Sequence, residues 1–182
     1  LSIDAPSVEG YLFPETYNFA PNTPAEIVVT KMISQCKSAT KDISFEHPFL
    51  TSHQVIYLAS IVEKETAKTT EMPVVAGLYI NRLQKGMLLQ SDPTVIYAKK
   101  LKEGMDIEIS RVLYADLEID SPYNTYKYVG LPPAPITIPS LQALNAVLHA
   151  EKHNYIFMCA NPDEPGTHSF AANLKQHNIN KQ

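Results

Sequence analysis

No apolar run in the 182 residues approaches the roughly 20 that a helix needs to cross a bilayer. The opening Leu1-Ser2-Ile3-Asp4 has neither the basic nor the apolar region of a signal peptide, and no initiating Met. The chain is therefore expected to be a soluble fragment of something longer. Cysteine is scarce too: Cys36 and Cys159 have no metal-ligand spacing and form no disulfide framework, and their apolar neighbours predict two buried free thiols. Six glycines stand against 14 prolines, a balance that favours stiff, extended connections over flexible linkers. The formal net charge of -4 supplies no basic field for nucleic acid or an anionic membrane surface, so no nucleic-acid partner is expected.

Motifs are missing as well. There is no Gly-x-Gly-x-x-Gly or Gly-x-x-x-x-Gly-Lys, which excludes common dinucleotide and P-loop sites, and no Gly-x-Ser-x-Gly elbow for a serine hydrolase. His149 and His153 stand at i, i+4, a spacing that can place two imidazoles on one helix face. The intervening Ala-Glu-Lys matches no zinc-protease pattern, so a solvated helix end is the favoured reading. No metal and no cofactor is expected.

What is present is a core. At 45% hydrophobic and 19% charged, the chain suits one globular domain, spanning residues 1–182. Aromatic residues 8–20, broken by Gly10 and Pro14, read as extended segments. Thr23-Pro24-Ala25-Glu26 resembles a capping box opening a helix from about 24 to 41. Thr51-Ser52-His53-Gln54 resembles a second box, opening a helix that stops near Thr66 to Lys68. Thr69-Thr70-Glu71-Met72-Pro73 reads as the start of a third helix, with Val74, Val75, Leu78, Tyr79 and Leu83 as its buried stripe, which ends at Gly86. Leu88 to Tyr97 begins as strand or loop and turns helical after Asp92-Pro93. Residues 99–120 look like a peripheral excursion, and the five prolines between Ser121 and Pro139 exclude regular helix. Ser140 to Leu148 is a capped helix, Tyr155–Ala160 and Thr167–Phe170 form a hairpin, and a short helix near 172–178 closes the chain. The expected fold class is α+β, a helical core with a small antiparallel sheet.

One residue in the second helix is out of place. At about 100° per residue, Val55, Leu58, Ile61 and Val62 make an apolar stripe, and Glu65 falls inside it. Glu63 and Lys64 project away from the stripe. A carboxyl pressed against apolar side chains is disfavoured as an anion and holds its proton to higher pH, the profile of a general acid. The alternatives are a frayed last turn or an ion pair with a buried Arg or Lys. Polar groups among aromatics in the later loops, Gln90, Asp92 and Thr94, then Tyr123, Asn124 and Tyr126, then His168, suit a sugar, whose hydroxyls need planar partners and whose faces stack on rings. Each is also an ordinary turn or capping residue.

Several stretches together resemble one family. They are Glu9-Gly10-Tyr11-Leu12-Phe13-Pro14-Glu15-Thr16-Tyr17, Ala59-Ser60-Ile61-Val62-Glu63-Lys64-Glu65-Thr66, Ile80-Asn81-Arg82-Leu83, Gly86 to Tyr97, Ser121 to Tyr126, Gly130-Leu131-Pro132-Pro133 and His168-Ser169-Phe170. In this order they resemble the catalytic region of the YceG-like endolytic murein transglycosylases, the MltG family. The resemblance implies cleavage of the β-1,4 bond between N-acetylmuramic acid and N-acetylglucosamine within peptidoglycan strands, leaving 1,6-anhydro ends without using water. It implies Glu65, the residue that periodicity selects, as the catalytic acid and base; Glu63 is the alternative, and Gln90, Asp92, Thr94, Tyr123, Asn124, Tyr126 and His168 are the candidates for binding substrate. It also implies a membrane anchor and a LysM-like region outside this chain, a place at the outer face of the bacterial cytoplasmic membrane, and cell-wall synthases as partners. The alternatives are a hydrolytic muramidase with Asp92 as second carboxylate, and a glycan-binding or synthase-docking module without turnover.

Overall fold

The computed structural model describes residues 8–182. Six helices and one two-stranded sheet follow in the order α1 (Ala25–Ala39), α2 (Ser52–Glu65), α3 (Met72–Gln84), α4 (Asp92–Glu103), α5 (Leu141–Leu148), β1 (Phe157–Ala160), β2 (His168–Ala171) and α6 (Leu174–Asn180), with a 3₁₀ turn at Tyr114–Glu118 before α5. This is an α+β fold.

Helix α2 is the hub. Thr51 caps it with the expected box: the Thr51 hydroxyl accepts from the Gln54 amide, and the Gln54 side chain accepts from the Thr51 amide. Val55, Ile56, Leu58, Ala59, Ser60, Ile61 and Val62 are all buried, a wider face than one stripe. Helices α3, α4 and α5 pack around α2, and α3 also packs on α5. Even the polar Ser60 is satisfied inside, donating to the Tyr57 carbonyl at 2.7 Å and accepting from the Ile136 amide at 3.0 Å. That second bond docks the proline-rich segment onto α2.

Helix α3 opens at Met72 with Pro73 in its first turn, and Gly86, at φ 64°, takes the left-handed position that lets the chain leave it. The buried side of α3 includes Arg82 beside Val75, Leu78 and Tyr79, while Val74 and Leu83 are half-buried. Helix α1 has the expected place but not the expected cap. Pro24 occupies the N-cap position without a side-chain bond, and the Thr23 hydroxyl donates back to Ala20 instead. No α1 residue is fully buried.

The hairpin pairs β1 with β2 antiparallel, Phe157 opposite Ala171 and Ala160 opposite His168. Cys36 and Cys159 are free and half-buried, more open than their neighbours predict. Helix α5 ends at Leu148, so His149 and His153 share no helix face. His153 Nε2 instead lies 2.9 Å from the Val74 carbonyl. The stretch after α4 is less peripheral than expected, because buried Asp116 accepts from Lys99 Nζ at 2.7 Å and from the Leu113 amide at 2.9 Å.

Candidate functional site

Glu65 is the last residue of α2, where the helix leaves the core and meets α3 and the start of α4. Its Oε1 accepts two hydroxyl bonds, one from Tyr79 of α3 at 2.6 Å and a very short one from Ser91 at the N-cap of α4. Among the described residues no hydrogen bond reaches Oε2. The residue keeps some exposed surface, yet burial around the carboxyl pushes its pKa above the ordinary carboxylate value. The two hydroxyls and the nearby His168 draw it down only in part, while Asp92 adds to the rise. Burial and the adjacent Glu65 hold the Tyr79 phenol far above its usual range, so it remains a donor.

Ser91 is placed by a small buried lattice. Its amide donates to Thr125 Oγ1 at 3.0 Å, and its carbonyl accepts from Thr94 Oγ1 at 2.7 Å. The two threonine hydroxyls lie 2.8 Å apart. Gln90, just before, is held at φ 51°, a left-handed conformation unusual for a side chain of this size, and its amide bonds the Thr125 carbonyl. Asn124 anchors the same loop from inside: Nδ2 donates to the Leu117 and Ile119 carbonyls, each at 2.8 Å, and Oδ1 accepts from the Tyr126 amide. Thr94 and Asn124 are both 0% exposed. The expectation that they touch sugar gives way to a scaffolding position, because each polar atom is already satisfied within the fold.

The other candidates divide. Tyr126 donates to Asp92 Oδ1 at 2.6 Å, and both residues reach solvent beside the cleft. Gln90 is exposed and its Oε1 accepts from Arg82 Nη1 at 3.3 Å. Tyr123 turns elsewhere, its ring 4.9 Å from that of Tyr97, whose hydroxyl binds Glu9. His168 is fixed by Glu71, the residue before α3: Oε1 accepts from the His168 amide at 2.7 Å, and Oε2 from Nδ1 at 2.8 Å and from Thr66 Oγ1 at 3.0 Å. Burial alone would raise the Glu71 pKa, but the bonds from His168 and Thr66 outweigh it and hold the carboxyl below its usual range. Nε2 of His168 makes no hydrogen bond among the described residues, and the ring is near enough to Glu65 to lower its pKa.

Glu63, two residues before Glu65, does different work. Its Oε2 accepts from the Ser140 amide at 3.0 Å and the Ser140 hydroxyl at 2.6 Å, tying α2 to the cap of α5. Sequence reasoning missed Tyr79 and Ser91 as partners of Glu65, and missed Arg82. Only Arg82 carried a legible signal, since 75, 78, 79 and 82 form a helical stripe with a cation in it. Two clefts flank Tyr126. One of about 440 Å³ is lined by Tyr79, Arg82, Gln90 and Tyr126 with residues of β1 and α6; the other, about 460 Å³, lies between Asp92, Tyr126 and residues 111–117. Among the described residues no group of three His, Cys, Asp or Glu could hold a metal ion, and no helix is long and apolar enough to cross a membrane.

A profile described as the YceG-like family matches residues 2–182. The endolytic murein transglycosylase of Bacillus subtilis (strain 168) is 40% identical over 179 residues, covering 96% of this chain and 47% of that protein. The protein of the same name from Streptococcus pneumoniae (strain R6) is 36% identical over 178 residues, covering 95% of this chain and 31% of that protein. In space, the 2.6 Å crystal structure of a YceG-like protein from Listeria monocytogenes superposes with a TM-score of 0.82 at 36% identity, covering 94% of this chain and 55% of that one. The chain thus spans about half the length of these relatives, or less. Because both the sequence match and the superposition run through nearly all of it, the chain belongs to the YceG-like family.

Proposed function

We propose that residues 1–182 form one catalytic unit, a lytic transglycosylase that cleaves the β-1,4 bond between N-acetylmuramic acid and N-acetylglucosamine within peptidoglycan strands. The observation that carries this reading is the state of Glu65. Burial favours its acid form against the two hydroxyl bonds to Oε1, which favour the carboxylate, and in that acid form Oε1, already accepting from both, is the carbonyl oxygen. The proton then belongs on Oε2, the oxygen without a partner in the fold. From there it passes to the glycosidic oxygen as the bond to the muramyl anomeric carbon breaks. The resulting carboxylate takes the proton of the muramyl 6-hydroxyl as that oxygen attacks the anomeric carbon, closing the 1,6-anhydro ring and returning Glu65 to its acid form.

A second carboxylate is dispensable where the substrate's own N-acetyl group supports the oxocarbenium-like centre. Asp92, the carboxylate a water-using enzyme would need, is engaged by Tyr126. Gln90, Tyr126 and Asp92, which line the two clefts beside Tyr126, and His168, whose charge acts on Glu65, are the residues this reading assigns to the sugar. Asn124, Thr94 and Thr125 position Ser91, and Tyr123 braces the loop. The names of the relatives support a peptidoglycan substrate. An extracytoplasmic site at the outer face of the cytoplasmic membrane, anchorage through a segment outside this chain, and work beside cell-wall synthases complete the proposal.

Mass spectrometry of digested glycan strands tests it. Products ending in 1,6-anhydro-N-acetylmuramic acid are expected. Reducing ends would transfer the assignment to a muramidase, and uncleaved strands would leave a binding module. A finer test is Tyr79→Phe, which keeps the ring but removes one bond that favours the Glu65 carboxylate. Glu65 must start protonated, and losing that bond raises its pKa further, so the high-pH limb of kcat/KM should move to higher pH. A limb that stays or moves down would disconnect Tyr79 from the acid.

A further inference from the structure

The cleft of about 440 Å³ beside Tyr79 has a one-sided charge. Arg82 and Lys181 line it together with His177, which burial and these two cations bias toward its neutral form, and none of its lining residues is Asp or Glu, in a chain whose formal net charge is -4. Arg82 is held by carbonyls rather than by an acid: Nε donates to Ile156 at 2.7 Å and Nη1 to Leu89 at 2.7 Å. Among the described residues neither Arg82 nor Lys181 makes an ion pair. The His177 ring stacks on Phe157 with centroids 5.2 Å apart, and its Nδ1 is buried without a hydrogen-bond partner. Cations gathered between low-dielectric walls attract an anion, and a buried nitrogen without a partner is costly until something pairs with it.

The volume is too large for a single small ion and falls in the range of pockets that hold an organic ligand. Leu78, Leu89, Met158 and Leu174 add apolar wall. We propose that this cleft binds the carboxylate-bearing peptide branch of a muramyl residue, so that the enzyme reads peptide-substituted strands in preference to bare ones. The inference rests on the catalytic reading above. It also supplies a use for the strained Gln90, whose exposed side chain bonds Arg82 and stands between this cleft and the Ser91–Glu65 pair.

The test compares kcat/KM on peptide-bearing glycan strands and on the same strands stripped of peptide by an amidase. The wild-type chain is expected to favour peptide-bearing strands about tenfold or more. Lys181→Glu, an exposed change near the chain end, should bring the ratio close to one, and Lys181→Arg should preserve it. Equal rates in the wild type, or a preference that survives Lys181→Glu, would overturn the proposal while leaving the catalytic reading intact. Should the wild type cleave neither substrate, the catalytic reading fails. Calorimetric titration with the free muramyl peptide then decides the cleft alone: binding weakened by Lys181→Glu supports it, and no binding overturns it.

Discussion

Glu65→Gln is expected to lower strand cleavage by about 10³-fold or more while the protein stays folded. The amide keeps the size of the side chain and an oxygen that can accept from Tyr79 and Ser91, but it can neither give nor receive the proton. Its effect on stability has a sign set by the raised pKa of Glu65. A carboxyl whose folded pKa lies above its unfolded one contributes its full stability below the unfolded value and loses it as pH rises through the folded value. The variant should therefore melt with the wild type in acid and above it in alkali. Glu63→Gln is the matched control, because a glutamine there still offers Ser140 an acceptor, and its rate should stay near wild type. Rates and melts of both variants settle the matter: a dead Glu63→Gln beside an active Glu65→Gln would exchange their roles.

Gly77→Ala should be a strongly damaging small substitution in the scaffold. Glycine in a helix interior ordinarily costs about 1 kcal/mol relative to alanine, so the change would normally stabilise α3. Here a Cβ would sit 2.3 Å from the Glu151 carbonyl oxygen and 2.8 Å from His153 Nε2. Neither neighbour is free to yield, since the Glu151 amide donates to Pro73 and His153 Nε2 is bonded at Val74. The segment after α5 must lift off α3, and overpacking of this kind costs about 1–3 kcal/mol or somewhat more. At about 2–4 °C per kcal/mol for a domain of this size, a drop of several degrees in melting temperature is expected. Asn81 and Arg82 donate to His153, Tyr155 and Ile156 in the same segment, so activity per folded molecule should fall as well. Calorimetry and a rate assay check both halves, and a melting temperature at or above wild type would show that the segment has room to move.

The helices were readable because their signals are local. Thr51 and Gln54 announce the start of α2, Pro73 and Gly86 bracket α3, and the placement of Glu65 in an apolar stripe needs only a period of 3.6. The partners of Glu65 were not readable, because they come from α3 and from the turn before α4, and nothing in a lone serine marks where it points. Asn124 was misjudged for a related reason. An asparagine between a Ser-Pro turn and tyrosines fits a sugar and fits its own loop equally well, and the deciding carbonyls belong to Leu117 and Ile119, in a stretch whose sequence gives no sign of docking there. At Thr23 two rules competed, and proline took the N-cap position that the threonine was expected to fill.

The closure of the hub over α5 bears on how the protein is made. Glu63 and Ser140 are 77 positions apart, and α5, which starts at Leu141, covers α3, which ends at Gln84, as well as α2. Ring closure over so long an interval adds only slowly to the entropic cost. For a chain leaving the ribosome, however, time matters more than equilibrium entropy. At about 5–20 residues per second, α2 and α3 must wait several seconds with an apolar side uncovered until the last third of the chain arrives. That interval is when the nascent protein is most exposed to aggregation, and α2 is the surface most in need of a chaperone.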